Sequence, residues 1–405
     1  MDAKTYEFVR HCENNLIDRF ADVDQIGDIN LEKVLSAFRV VGLTTSDLAG
    51  STGYGLGDAG RDKLERVFSH VFGTESALVR PQIASGTHAI ASVLFGLLRP
   101  GDRMVSITGR PYDTLEEVIG IRQSSGSLAE FDIDYAECDW RLEQSTDSLD
   151  EPTKIVYIQR SSGYRPGPSV TIEQLEDWIN RIKVISPQSV IVVDNCYCEF
   201  VSVKEPADAG ADITIGSLIK NPGGGIARTG GYIAGIKDII DRIATRVTAP
   251  GVGSEIGATW GFLDSFFQGI YVSPPAVASA VKGAILISEC LSQLGYGVYP
   301  KITDDRADIV TSIELPDRES FMAVGSAIQT MSPLDSTAIP EPFPQGGYTA
   351  DVMLAGGGFV SGSTLELSAD GLDKSPYTIY IQGGVNMNHI RLGLSNIISA
   401  LERVR

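Results

Sequence analysis

Basic residues are scarce in this chain: 33 lysines and arginines stand against 52 aspartates and glutamates, a formal net charge of −19. Such an acidic surface repels phosphate backbones and anionic bilayers, which excludes nucleic acid and membrane as generic partners. Cysteine is sparse too. Five in 405 residues do not make a disulfide scaffold, and a reducing cytoplasm is the expected compartment. The four histidines are scattered, and Cys196-Tyr197-Cys198 has no second ligand pair at zinc spacing, so free thiols and no metal site are expected. No N-terminal apolar h-region and no unbroken run of about 18 apolar residues stands out, so neither secretion nor insertion is expected. Internal repeats and low-complexity tracts are missing as well.

What the chain does have is apolar mass and a βα rhythm. Hydrophobic residues make up 43%, enough for a sizeable core, and the length suits a large unit followed by a smaller one. Apolar runs at 103–107, 155–159, 190–194, 213–217 and 231–234 read as strands. Helical patterns at 62–72, 90–98, 115–121 and 172–185 separate or precede them. This alternation predicts an α/β fold with a largely parallel sheet covered on both faces. Residues 1–50 mix short helical patterns with a polar link, an N-terminal arm able to pack on a neighbour. Pro274-Pro275 are expected to open a bridging helix over 276–294. Beyond it a small α+β unit is expected, with strands near 309–315, 365–367 and 378–381 and helices over 318–330 and around 397–401. The layout is therefore 1–50, 51–275 and 276–405.

Chemistry concentrates at Lys220. Asp212-Ile213-Thr214-Ile215 leads into Gly216-Ser217-Leu218-Ile219-Lys220, and Asn221-Pro222-Gly223-Gly224-Gly225 follows. The amine thus leaves a buried strand end over a glycine turn. An unpaired ammonium is costly in apolar surroundings, and a Schiff base with a carbonyl cofactor removes that cost. Asp194 closes the run Ser189-Val190-Ile191-Val192-Val193, which places a carboxylate at the ligand-binding edge of a parallel sheet. A lysine and an acid 26 positions apart (220 − 194) supply what pyridoxal phosphate requires: a partner for the aldehyde and one for the ring nitrogen. Ser85-Gly86-Thr87-His88-Ala89 opens a helix and reads either as an ordinary N-cap or as a phosphate cradle. Ser217 could add a hydroxyl to the same phosphate.

Several stretches together carry a resemblance. They are Gly53-Tyr54-Gly55-Leu56-Gly57-Asp58, Gly60-Arg61-Asp62-Lys63-Leu64-Glu65, Ser85-Gly86-Thr87-His88-Ala89 and Arg110-Pro111-Tyr112-Asp113-Thr114-Leu115. Val193-Asp194-Asn195-Cys196-Tyr197, Ser217-Leu218-Ile219-Lys220-Asn221-Pro222-Gly223-Gly224 and His389-Ile390-Arg391-Leu392-Gly393 complete the set. In this order, over nearly the whole chain, they resemble the fold-type I pyridoxal-phosphate enzymes of Cys/Met metabolism. The similarity is greatest to the branch called methionine γ-lyase-like or aluminium-resistance proteins, which is cystathionine β-lyase-like.

The resemblance implies an aspartate aminotransferase type of fold and a carbon–sulfur lyase that splits sulfur amino acids by β- or γ-elimination. It implies that Lys220 carries the cofactor and moves protons, and that Asp194 pairs with the ring nitrogen. Gly86, Thr87 and Ser217 would hold the phosphate, Asn195 would orient the cofactor, and Tyr112 would stack on the ring and act as an acid. Arg391 would bind the substrate carboxylate. Tyr54 would reach the phosphate of a neighbouring subunit in a homodimer or homotetramer, although Leu56 stands where relatives keep an arginine. An aminotransferase built on the same residues and a non-catalytic metal-tolerance protein are the alternatives.

Overall fold

The computed structural model describes residues 2–404 apart from 164, 166, 347 and 349. Three helices precede the first strand: α1 (Ala3–Asn14), α2 (Ile17–Val41) and α3 (Ala59–Val71). The N-terminal 50 residues are therefore two substantial helices, not a mixture of short ones. Both pack on their own chain. Thr5 of α1 shares its hydroxyl with Ser395 at 2.8 Å and Ser399 at 3.0 Å. The third helix starts where Asp58 caps the Arg61 amide, and it buries Leu64, Val67, Phe68 and Val71 along one face.

A seven-stranded sheet follows: β1 (Ser76–Arg80), β2 (Arg103–Ser106), β3 (Asp134–Glu137), β4 (Ile155–Gln159), β5 (Val190–Asp194), β6 (Ile213–Ser217) and β7 (Gly231–Gly235). Its order is β1-β7-β6-β5-β4-β2-β3. Strands β2 to β6 run parallel, whereas β7 is antiparallel to both β6 and β1. Helices α4 (Gly86–Leu97), α5 (Asp113–Ile119), α6 (Ile172–Ile185) and α7 (Lys237–Val247) cover it. Strand alternation divides the core in two. Val192 and Ile215 pack with Ile90 and Ile243 on one face, while Ile191 and Val193 pack with Trp178 and Ile182 on the other. Each fully buried valine or isoleucine contributes about 1.5–3 kcal/mol, which is why these strands are apolar throughout instead of alternating.

The next helix, α8 (Leu263–Gln293), corrects one expectation. Pro274 and Pro275 lie inside it instead of opening it, so the expected boundary at residue 275 falls in the middle of a continuous helix. Proline removes amide donors and favours a helix start, but here Leu263, Phe266, Phe267 and Ile270 are buried in the turns before the prolines. Burial of that face outweighs the missing bonds. This helix is also long and apolar enough to cross a membrane, yet 72% of its apolar window is buried inside the protein. It is a core helix, packed against α2.

After it come β8 (Gly297–Tyr299), β9 (Val310–Leu315), α9 (Arg318–Thr330), β10 (Val352–Ala355), β11 (Ser368–Leu372), β12 (Tyr377–Gln382) and α10 (Met387–Val404). The five strands form an antiparallel sheet in the order β10-β11-β12-β9-β8. Residues 365–367, expected as a strand, sit just before β11; Leu365 and Leu367 are buried as loop residues. The two sheets meet where the carboxyl ends of β4, β5 and β6 face β9, β11 and β12 across a cavity.

Candidate active site

That cavity, about 260 Å³, collects the terminal residues of three adjacent strands. Gln159 ends β4, Asp194 ends β5 and Ser217 ends β6, and all three line it. Parallel strands make this convergence automatic, because their last residues share one edge. Lys220 enters from the turn after β6, and Tyr112 from the residue that heads α5.

The floor is the start of α4. Ser85 caps the helix by accepting from the His88 amide at 3.0 Å, leaving the first-turn amides directed at the cavity. Across from it, the Ser217 hydroxyl oxygen is buried and has no hydrogen-bond partner among the described residues, in a residue 2% exposed. A buried hydroxyl left unsatisfied costs about 1–3 kcal/mol, so its placement beside a helix N-terminus marks an anion seat. A Cβ on Gly86 would lie 3.2 Å from the Cys196 sulfur and 3.5 Å from the Ser217 Cβ, so glycine keeps the seat open. Thr87 is held in place by Tyr112, whose hydroxyl donates to it at 2.9 Å.

Asp194 is 4% exposed. Its Oδ1 accepts from the Cys196 amide at 3.1 Å and its Oδ2 from the Tyr157 hydroxyl at 3.3 Å. Burial raises its carboxyl above the usual range, with those donors and Lys220 opposing the rise. Lys220 donates to the Gly362 carbonyl at 3.1 Å, and its nitrogen lies 4.7 Å from the Tyr197 ring centre. Burial lowers this amine below an ordinary lysine, with Cys196 and the carboxylates of Asp370, Glu199 and Asp194 pulling the other way. Tyr197 itself adopts φ 71°, a left-handed conformation that costs a non-glycine residue about 1–3 kcal/mol and tends to persist at functional sites. Asn221, next to Lys220, donates to the Glu199 carbonyl at 3.0 Å and fastens the lysine turn to the segment after β5.

Lys220, Asp194, Gly86, Thr87, Ser217 and Tyr112 are thus gathered in one place. Three expected residues are not. Asn195 points away: its oxygen accepts from Arg160 at 2.6 Å and its amide donates to Glu205 at 2.9 Å. Successive residues at a strand end face opposite sides, so with Asp194 directed into the cavity its neighbour turns into the protein. Arg391 lies on α10 in a two-point ion pair with Glu13, at 2.8 and 2.7 Å, and does not line the cavity. Its guanidinium fork is already filled. Tyr54 stands 76% exposed on the loop before α3, outside this chain's cavity. Sequence reading passed over Tyr157, Tyr197, Gln159, Asp370, Tyr380 and Gln382, which also line or support the site. Of these only Gln159, ending an apolar run as Asp194 does, carried a signal.

The residues present fit pyridoxal phosphate: an amine of lowered basicity, a buried acid, and a helix N-terminus facing an orphaned hydroxyl. Ser217→Ala is expected to weaken pyridoxal-phosphate affinity about tenfold or more, the loss of one hydrogen bond to a charged group, without lowering the melting temperature. Fluorescence titration and calorimetry check both halves. Arg391→Met, by contrast, is expected to destabilise the fold by about 2 kcal/mol through the stranded Glu13, with cofactor affinity unchanged in the same titration.

The sheet order, with its lone antiparallel strand beside β6, and the lysine–carboxylate pair at the strand ends place the chain among α/β proteins that build a site at a parallel sheet edge. The family model described as methionine gamma-lyase matches residues 5–402, and the chain belongs to that family. YnbB of Bacillus subtilis (strain 168) is 42% identical over 387 residues, covering 94% of this chain and 92% of its own. An L-methionine gamma-lyase of Pseudomonas putida is 28% identical over 185 residues, 44% of this chain and 42% of that one. The crystal structure of a carbon-sulfur lyase involved in aluminum resistance from Clostridium novyi NT is similar at a TM-score of 0.93 and 41% identity, over 100% of this chain and 97% of that chain. CalE6, a methionine gamma lyase of Micromonospora echinospora, shares the fold at 17% identity and a TM-score of 0.60, over 85% and 86% of the two chains.

Proposed function

We propose that this protein is a pyridoxal-phosphate-dependent carbon–sulfur lyase. It would release a thiol from Cβ or Cγ of a sulfur amino acid, with uptake of water and formation of a 2-oxo acid and ammonia. One observation carries the reading: Lys220 and Asp194 face the same cavity, whose floor holds the unpartnered Ser217 hydroxyl against the start of α4. The cofactor, when bound, supplies the electron sink for the carbanion at the substrate Cα.

The protein's own groups do the rest. Ser217 and the amides of Gly86 and Thr87 would hold the phosphate. Asp194, kept in place by Tyr157 and the Cys196 amide, would hold a proton at the ring nitrogen. Lys220, an amine whose basicity burial lowers, would move the proton at Cα. For γ-elimination the same amine would serve a second time at Cβ. Tyr112 packs at the cavity wall, and burial holds its phenol protonated far above neutrality. It therefore stays a donor, and a departing thiolate would take over the bond it now makes to Thr87.

We extend this reading to a cytoplasmic homodimer or homotetramer. The loop bearing Tyr54 is fixed rather than loose: Asp58 binds Thr259 at 2.8 Å and Arg61 binds the Gly55 carbonyl at 2.6 Å. A rigid loop presenting an exposed tyrosine supports a role for it at a second copy's phosphate seat. The involvement in aluminum resistance named for the Clostridium novyi protein is extended here as a proposal as well. The test of the reaction is direct. Cysteine, cystathionine and methionine are supplied in turn, and 2-oxo acid, ammonia and thiol are assayed. Equimolar thiol and ammonia support the lyase. Accumulation of pyridoxamine phosphate without thiol would make it an aminotransferase.

A further inference from the structure

Resting on the lyase reading above, we propose that Tyr197 is a positioning residue for Lys220: its ring face, with the Gly362 carbonyl, holds the amine in the cavity whenever the cofactor does not. The backbone shows what it takes to put the ring there. The Cys198 amide donates to the Asn195 carbonyl at 2.9 Å, so residues 195–198 form a tight turn with Tyr197 third. Tyr197 takes φ 71°, and Cys196 is not among the residues of positive φ. That is the geometry of a type II turn, whose third position suits glycine because a Cβ is strained there. The chain places a tyrosine at this position all the same. The ring it delivers lines the cavity, with the Lys220 nitrogen 4.7 Å from its centre.

The surroundings of the amine explain why a ring is needed. Burial disfavours the charged form of Lys220, while Cys196, Asp370, Glu199 and Asp194 favour it from several sides of the cavity. Charges spread in this way hold no single direction. A cation over a ring face and a donor aimed at a carbonyl do. Burial, reinforced by Asp370 and Cys196, holds the Tyr197 phenol protonated, so the lysine meets a neutral ring face and not a phenolate. The second contact, to the Gly362 carbonyl at 3.1 Å, comes from 142 positions away, on the loop between β10 and β11. A Cβ on Gly362 would lie 3.3 Å from Ile219 Cδ1, so that loop sits close against the lysine turn. When a substrate amino group takes the place of Lys220 at the cofactor, the lysine is set free and has to stay within reach of Cα to move its proton. A lysine side chain left loose spreads over many rotamers; ring and carbonyl together confine it.

The test reads the amine itself. Full-length protein freed of cofactor is acetylated with trace acetic anhydride across a range of pH. Mass spectrometry of the Lys220 peptide then gives the pH at which half of the amine is neutral. Position 197 carries in turn tyrosine, phenylalanine (Tyr197→Phe) and phenylalanines with one, two and five ring fluorines, which keep the ring's shape and drain negative charge from its face. A ring face favours the charged amine, so weakening it lowers the midpoint. Tyr197→Phe is expected to keep the wild-type midpoint, and the fluorinated rings to lower it stepwise, by about half a unit to one unit at five fluorines. In cofactor-loaded protein the same series is expected to slow exchange of the L-norleucine α-hydrogen with deuterated water, by about threefold at five fluorines. A midpoint or an exchange rate indifferent to fluorine, or a fall in Tyr197→Phe as large as that of the fully fluorinated ring, would overturn the inference and leave the lyase reading standing. The lightly fluorinated rings decide if the fully fluorinated protein does not fold. A protein that develops no visible band with pyridoxal phosphate would instead remove the lyase reading, and this inference with it.

Discussion

Lys220→Ala is expected to abolish the visible absorbance that pyridoxal phosphate gives when tethered to protein, and to lower thioether cleavage by about four orders of magnitude. The alanine removes both the covalent partner and the only amine lining the cavity among the described residues. It also removes a half-buried cation whose side-chain hydrogen bond is to the Gly362 carbonyl. Burying an ammonium carries a desolvation cost, so the variant's melting temperature is expected to equal or exceed that of wild type. Loss of the band with a preserved fold is a chemical defect. A variant that keeps the wild-type spectrum would place the cofactor on another residue.

Asp194→Asn should behave differently, and the contrast is informative. Asparagine keeps an oxygen for the Cys196 amide or the Tyr157 hydroxyl but carries no charge with which to hold a proton at the ring nitrogen. The visible band is expected to persist, shifted, because Lys220 remains. Turnover is expected to fall about a thousandfold, in line with loss of electrostatic stabilisation at a reacting centre. Exchange of the substrate α-hydrogen with deuterated water, followed by NMR, locates the defect. Slowed exchange is the expected result; unimpaired exchange with impaired thiol release would move the role of Asp194 to a later step.

The residues that were legible in the sequence share a physical property: each sits where a local pattern ends. Asp194 and Ser217 close apolar runs, Lys220 follows a glycine-flanked turn, and Gly86 and Thr87 open a helix. Periodicity locates such breaks, and a parallel sheet then brings them to one edge. The parallel core strands β2, β4, β5 and β6 were readable for the same reason. The polar edge strand β3, Asp-Tyr-Ala-Glu, was not, because it lacks a buried face to leave a pattern. Nor does any local pattern reveal that Glu13 occupies Arg391, a pairing across 378 positions. Asp370 and Gln382 reach the cavity only because two sheets meet there. The turn of Asn195 away from the cavity was within reach of simple strand alternation once Asp194 was assigned inward.

The central claim is a covalent bond at one nitrogen, and borohydride reduction reads it directly. Protein loaded with pyridoxal phosphate is reduced, digested and mapped by mass spectrometry. The expected result is a single phosphopyridoxyl mark, on the peptide that contains Lys220. A mark on any other lysine, or none on a protein that had bound the cofactor, would contradict it.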